Sequence, residues 1–289
     1  MLMQDIVPHQ ILRFQTDEEI TIVADAYGNP DDNPILLLHG GGQTRNSWKK
    51  TGEVLAEKGW YVIATDARGH GDSSWSKKGN YNYEYNRKDL IAIVRALEKT
   101  PILIGASMGG LTSLAALHYV PGLAKGLILV DVSPRIEKKG TDRIFAFMSA
   151  KPNGYDSLEE VQEAVKAYLP HRKNIGSLSG LKKNLRKLPN GKYGWHWDPK
   201  ILEVWKNNSE NLTQIDAEKF LTNALINLQI PALLVRGGIS DVVSMEIVEE
   251  LRQIAPNLQF VDVAGAGHMV AGDSNYVFTN ALLDFLNGI

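Results

Sequence analysis

The stretch P-I-L-I-G-A-S-M-G-G, residues Pro101–Gly110, decides how this chain is read. Ile102, Leu103 and Ile104 form a short aliphatic run behind a proline, the pattern of a strand buried on both faces. Gly105–Gly109 interrupts that run, and Leu111–His118 resumes as a helix. A serine at a tight strand-to-helix corner needs small residues two places before it and two and three places after it. Gly105, Gly109 and Gly110 stand at those places. In that context G-x-S-x-G lifts the Ser107 hydroxyl above the sheet edge as a nucleophile; without it, the same letters are a glycine turn holding an incidental serine.

Working outward, the neighbouring segments supply the context. His9–Thr16 and Glu19–Tyr27 read as an edge hairpin, and the loop Gly28–Asn33 leads to the aliphatic strand Pro34–Leu38, which stops at His39-Gly40-Gly41-Gly42. A helix over Ser47–Lys58 precedes the strand Trp60–Thr65, which ends in the polar turn Asp66–Ser73, and helical spacing returns over Arg87–Lys99. After the opening stretch comes the strand Gly126–Val132. Short aliphatic strands alternating with helices predict an α/β protein with a parallel sheet and helices on both faces. Right-handed crossovers put the strands' carboxyl ends on one rim, where ligands of such sheets bind.

From Ser133 the alternation stops. Helical pieces are expected over Thr141–Ala150, Ser157–Tyr168, Ile175–Leu188 and Ala217–Leu228, with an aromatic patch at Tyr193–Trp197. An inserted helical region fits better than a loop of that length. The basic tract Leu181–Lys187 reads as the solvated face of a short amphipathic helix. The sheet resumes at Pro231–Arg236, then a turn with Asp241, a helix Met245–Ile254, a strand Leu258–Val263, the turn Gly265–His268 and a closing helix Asn275–Leu286. The division expected is residues 1–133 and 229–289 as the core and 134–228 as the insertion.

Composition narrows the chemistry. With 44% hydrophobic and 22% charged residues among 289, the chain is an ordinary globular one, and a net charge of -2 argues against a nucleic-acid partner. There are no cysteines, which removes disulfides, thiolate metal sites and a cysteine nucleophile. No apolar run reaches membrane-span length and the start lacks a signal-peptide pattern, so a soluble cytoplasmic protein with no membrane partner is expected. No phosphate-loop pattern of the G-x-x-x-x-G-K-[ST] or G-x-G-x-x-G kind follows a strand.

A serine hydroxyl needs a base within hydrogen-bond reach and an acid to orient that base. Of the seven histidines, His39 and His70 sit in glycine turns where an imidazole braces the loop, whereas His268 follows the last strand in a glycine-flanked turn that can carry it over the rim. Two acids qualify: Asp241, after the strand that ends near Arg236, and Asp131, at the end of Gly126–Val132. Acyl transfer also needs N–H donors for a developing oxyanion, and the backbone N–H groups of Met108 and Gly41 are the candidates.

These segments together resemble the α/β-hydrolases, and within them the epoxide-hydrolase-like and cofactor-free haloperoxidase-like branch. The residues that carry the resemblance are His39–Gly42 with Trp48 downstream, Asp66–Ser73, Gly105–Gly110, Asp131–Pro134, Arg236–Gly238 with Asp241, and Gly267-His268, in that order over almost the whole chain. The resemblance implies a mostly parallel eight-stranded sheet with a helical cap inserted between the sixth and seventh strands. It favours Asp241 as the acid through the chain order Ser107, Asp241, His268, with Asp131 as the alternative. It makes Trp48, Trp195 and Trp197 the expected substrate-binding aromatics. Epoxide hydrolases of this fold carry an aspartate at the elbow; Ser107 would instead form an acyl-enzyme from a small-molecule carboxylic ester, thioester or lactone. A cofactor-free perhydrolase with the same triad, and a non-catalytic small-molecule-binding member, are the rival expectations. Neither metal nor cofactor is expected, and the chain is expected to act as a monomer or at most a homodimer.

Overall fold

A computed structural model of the chain describes residues 9–17, 19–172, 177–209, 213–270 and 275–289. The first half runs β1 (His9–Gln15), β2 (Thr21–Tyr27), β3 (Asn33–Leu38), α1 (Lys49–Glu57), β4 (Trp60–Thr65), α2 (Tyr83–Arg95), β5 (Ile102–Ala106), α3 (Met108–Tyr119) and β6 (Gly126–Val130). The insertion follows, with α4 (Lys138–Ser149), α5 (Leu158–Tyr168), α6 (Leu178–Lys182), β7 (Leu185–Lys187), β8 (Tyr193–Trp195), α7 (Lys200–Ser209) and α8 (Thr213–Ile226). The core then closes with β9 (Ala232–Gly237), α9 (Met245–Ile254), β10 (Leu258–Val263) and α10 (Asn275–Leu286).

Eight strands form one sheet in the order β1-β2-β4-β3-β5-β6-β9-β10. The pairs β1–β2 and β2–β4 are antiparallel and every later pair is parallel. The aliphatic runs are continuous because both faces are covered, and the pleat sends alternate residues to different cores. Ile35, Leu37, Ile102, Ile104, Ile128 and Val130 face Leu55 of α1 and Phe278 and Leu282 of α10. Leu36, Leu38, Leu103, Leu127 and Leu129 face the other way, onto Leu90 and Ile93 of α2 and Leu114 of α3. α3 is buried on all sides from Gly109 to Leu117, as expected of a helix that is apolar all round.

That burial needs the glycines of the opening stretch. A Cβ on Gly105 would lie 2.4 Å from the Gly110 nitrogen, and one on Gly109 would lie 2.5 Å from the Leu38 carbonyl oxygen. Only glycine lets α3 start this close to β5 and β3.

The insertion departs from the pattern read in the sequence. The helix expected over Ile175–Leu188 is a short α6 followed by β7, which pairs with β8 in a small hairpin; residues 173–176 lie outside the described residues. The basic tract is therefore split between a helix end and a strand. Asn184 ends the helical run, its side chain accepting from Thr44 Oγ1 at 2.8 Å and its carbonyl from the His196 N–H at 3.0 Å. Pairing with β8 overrides a local preference of lysine and leucine for helix. Sequence periodicity also passed over α7, and it ran β6 two residues too far, because Asp131 turns the chain with φ of 48°.

The insertion has a core of its own, with Tyr155, Val161, Val165, Leu169, Leu181 and Leu185, against which Met269 packs beside His268. Among the described residues no helix is long and apolar enough to cross a membrane.

Candidate active site

Ser107 holds φ 48° and ψ −116°, a conformation that L-residues rarely adopt. It is held there by its N–H to Val130 O at 3.1 Å, while its carbonyl accepts from Gly110 and Leu111 at 3.0 and 3.1 Å. Ala106 pairs with Val130 across β5 and β6, so Ser107 and Asp131 are the next residues on neighbouring strands. Both have φ of 48°, and they are the non-glycine residues with positive φ among those described. Two adjacent strands thus turn at the same level, about 5 Å apart by ordinary sheet spacing. The site lies where the sheet order reverses between β3 and β5, and a Cβ built on Gly40, just after β3, would come within 3.2 Å of the Ser107 Cβ.

His268 reaches this rim from the turn after β10. Its Nδ1–H donates to Asp131 Oδ2 at 2.7 Å, and the Asp131 side chain is wholly buried. A carboxylate has only acceptors, so this bond places the ring proton on Nδ1 and leaves Nε2 with the free lone pair. Asp131 also accepts from the Gly237 N–H at 2.9 Å and from Ser240 Oγ at 2.6 Å. A Cβ on Gly237 would lie 2.2 Å from the Gly267 oxygen, so glycine is required where β9 meets the His268 turn.

The geometry sets Asp131, and not the expected Asp241, against His268. Asp241 faces the insertion, where Arg143 of α4 engages both its oxygens, Nε to Oδ2 at 2.7 Å and Nη2 to Oδ1 at 2.9 Å. The order serine, acid, histidine holds equally for Asp131, so chain order could not separate the two.

The Gly41 N–H has no acceptor among the described residues, and neither has that of Met108 at the start of α3. The glycine loop that carries Gly41 is braced by two buried imidazoles. His39 donates from Nδ1 to Gly40 O at 2.7 Å and accepts the Ala67 N–H on Nε2 at 3.0 Å. His70 accepts the Gly42 N–H at 3.2 Å, with Nδ1 3.1 Å from Arg68 O. Burial lowers His39 from 6.5 to about 4, and burial together with neighbouring His39 lowers His70 to about 3, so both rings are neutral.

The expected aromatics divide. Trp48 is 1% exposed and packs beside Phe278 in the core beneath α10. Trp197 is buried and stacks on Trp195, which in turn meets Phe147 and Tyr155 in the core of the insertion. The residues placed over the glycine loop are others. Met148 of α4 lies 3.1 Å from where a Gly42 Cβ would be, and Trp205 of α7 lies 4.0 Å from that position on Gly41. Their sequence signal was no more than apolar spacing within two helices, one of which was not foreseen.

A family model described as alpha/beta hydrolase fold matches residues 33–274, most of the chain. The chain belongs to the α/β-hydrolases. Among its α/β-hydrolase relatives is an esterase of Mycobacterium tuberculosis (strain ATCC 25618 / H37Rv), 29% identical over 266 residues, which are 88% of this chain and 82% of the relative. A crystal structure of that esterase superposes with a TM-score of 0.73 at 27% identity, covering 96% of this chain and 92% of the other. An sn-1-specific diacylglycerol lipase of Mus musculus is 28% identical over 260 residues, 87% of this chain and 80% of the lipase. The crystal structure of E-2-(acetamidomethylene)succinate hydrolase shares the fold, with a TM-score of 0.80 at 21% identity and 97% and 100% coverage.

The neutral histidines make a pH prediction. The unfolded chain takes up protons on His39 and His70 as pH falls below about 6.5, while the native chain resists until about 4 and 3. Their contribution is therefore complete above pH 6.5 and declines on acidification, by up to about 1.4 kcal/mol per pH unit for each ring. His39→Gln, which keeps a donor and an acceptor but cannot titrate, should lose less stability than the wild type between pH 6.5 and 4.5 in urea unfolding. Parallel curves for the two proteins would contradict the assignment.

Proposed function

We propose that the chain is a serine hydrolase that cleaves a carboxylic ester, thioester or lactone of a small molecule through an acyl-enzyme on Ser107. The observation that carries this reading is the pinning of the His268 Nδ1–H to buried Asp131, whose strand ends in register with that of Ser107. Nε2 is then the base that takes the Ser107 Oγ proton as Oγ attacks the carbonyl carbon. The negative charge that develops on the carbonyl oxygen is received by the Gly41 and Met108 N–H groups. Collapse of the tetrahedral adduct breaks the acyl bond, and the His268 proton passes to the departing alkoxide or thiolate. Water, deprotonated by Nε2, then releases the acid and restores Ser107. Asp131 stays ionised throughout and stabilises the imidazolium.

Asp131 thus takes the role of acid, Asp241 that of holding the insertion through Arg143, and Met148 and Trp205 flank the reacting carbonyl in place of Trp48 and Trp197. Residues 134–228 act as a cap over the core of residues 1–133 and 229–289. All five reacting groups come from one chain, so the reading needs no second copy. The narrower placement in the epoxide-hydrolase-like and haloperoxidase-like branch rests on sequence motifs alone. The relatives named as an esterase and a lipase, with the serine at the elbow, favour ester cleavage.

Ser107→Ala should abolish turnover of a short p-nitrophenyl ester while circular dichroism stays that of the wild type; retained turnover would overturn the proposal. Asp131→Asn should lower kcat by about a thousandfold or more through loss of the tautomer, against less than about tenfold for Asp241→Asn. The reverse order would return the acid to Asp241.

A further inference from the structure

The Asp131 carboxylate is shared, and the way it is shared points beyond the three residues of the triad. Oδ1 accepts the Gly237 N–H at 2.9 Å. Oδ2 accepts two donors, the His268 Nδ1–H at 2.7 Å and the Ser240 hydroxyl at 2.6 Å. Asp131 itself has no exposed surface, so these donors are its substitute for water.

Ser240 has no freedom to turn away. Its oxygen accepts the Val242 N–H at 3.1 Å and the Val243 N–H at 3.2 Å, which occupies its lone pairs and leaves its one proton directed at Asp131. The loop around it is fixed by further bonds. Ser240 N–H donates to Gly237 O at 2.9 Å, Ile239 N–H to Ala266 O at 2.9 Å, and Arg236 Nε to Val243 O at 2.6 Å. The charged groups on the packed elements are paired elsewhere, Arg236 with Asp262 at 2.9 Å and Asp241 with Arg143 at 2.7 Å, so among the described residues no other formal charge is set against Oδ2.

We infer that Ser240 is a positioning residue of the reaction: by donating to the same Asp131 oxygen as His268, it holds the carboxylate in plane and moderates the pull of that oxygen on the imidazole. The inference rests on the triad reading above. A hydroxyl that withdraws electron density from Oδ2 leaves less of it for the ring. Without the hydroxyl, the carboxylate binds the imidazolium more tightly, and His268 keeps its second proton to higher pH. A serine that only tied the loop together through Val242 and Val243 would leave that balance unchanged.

The test is the pH profile of kcat/KM for a short p-nitrophenyl ester in the wild type, Ser240→Ala and Ser240→Thr, with Ser107→Ala as control. Ser240→Ala should move the acidic limb up by about half a unit to one unit and lower kcat about tenfold, with KM within about twofold, because Ser240 touches no substrate. Ser240→Thr, which keeps the hydroxyl, should retain the wild-type limb. If Ser240→Ala does not fold, Ser240→Cys, with its weaker donor, is read in the same way. An unmoved limb in the variant that lacks the hydroxyl, or the same displacement in Ser240→Thr, would overturn the inference while leaving Ser107 as nucleophile. Turnover by Ser107→Ala would instead overturn the triad reading.

Discussion

The backbone hydrogen bonds between β5 and β6 pair Ala106 with Val130 and so bring two strained turns side by side at Ser107 and Asp131. A positive φ on a non-glycine residue costs about 1–3 kcal/mol, and it persists only where the surroundings over-determine it. Here the surroundings are α3 pressed against β5 at Gly105 and against β3 at Gly109, and the Asp131 N–H bonded to Val235 O at 2.8 Å across β6 and β9. Moving either strand by one residue would exchange the two cores and carry the serine and the carboxylate apart together. The chemistry of the rim is in this sense a consequence of register.

Around that pair, the loop after β9 serves two partners through adjacent side chains. Ser240 points inward to Asp131, and Asp241 points outward to Arg143 on α4. The same loop receives the Glu137 N–H on Val242 O at 2.8 Å, and a Cβ on Gly140 would lie 2.3 Å from the Asp241 oxygen, so α4 is seated on it by backbone as well as charge. α4 in turn carries Met148 to the glycine loop after β3. The insertion is thus anchored at the residue next to the one that holds Asp131, and it reaches the glycine loop after β3.

How much of this could be read in the sequence depended on how local the cause was. The strands β3, β4, β5 and β9 were legible because each is an apolar run of strand length, and the elbow was legible because its three glycines are neighbours of Ser107. The bracing roles of His39 and His70 followed from the glycine turns around them. The carboxylate that meets His268 was not legible: Asp131 and Asp241 both follow parallel strands at the same rim, and what separates them is His268 on the one and Arg143, 98 residues before Asp241, on the other. The β7–β8 hairpin was missed because the leucine, arginine and lysine of β7 favour helix, and only its pairing with Tyr193–Trp195 across the turn makes it a strand. Trp48 looked like a pocket aromatic because it follows a site loop, yet burial beneath Phe278 is decided by α10 at the other end of the chain.

The account stands most directly on one measurement: treatment of the full chain with a fluorophosphonate probe, followed by peptide mapping of the adduct. A single covalent phosphonyl group on Ser107, formed faster as pH rises through the range in which an imidazole loses its proton, is the result predicted. An unlabelled chain, or a label on another residue, would contradict it.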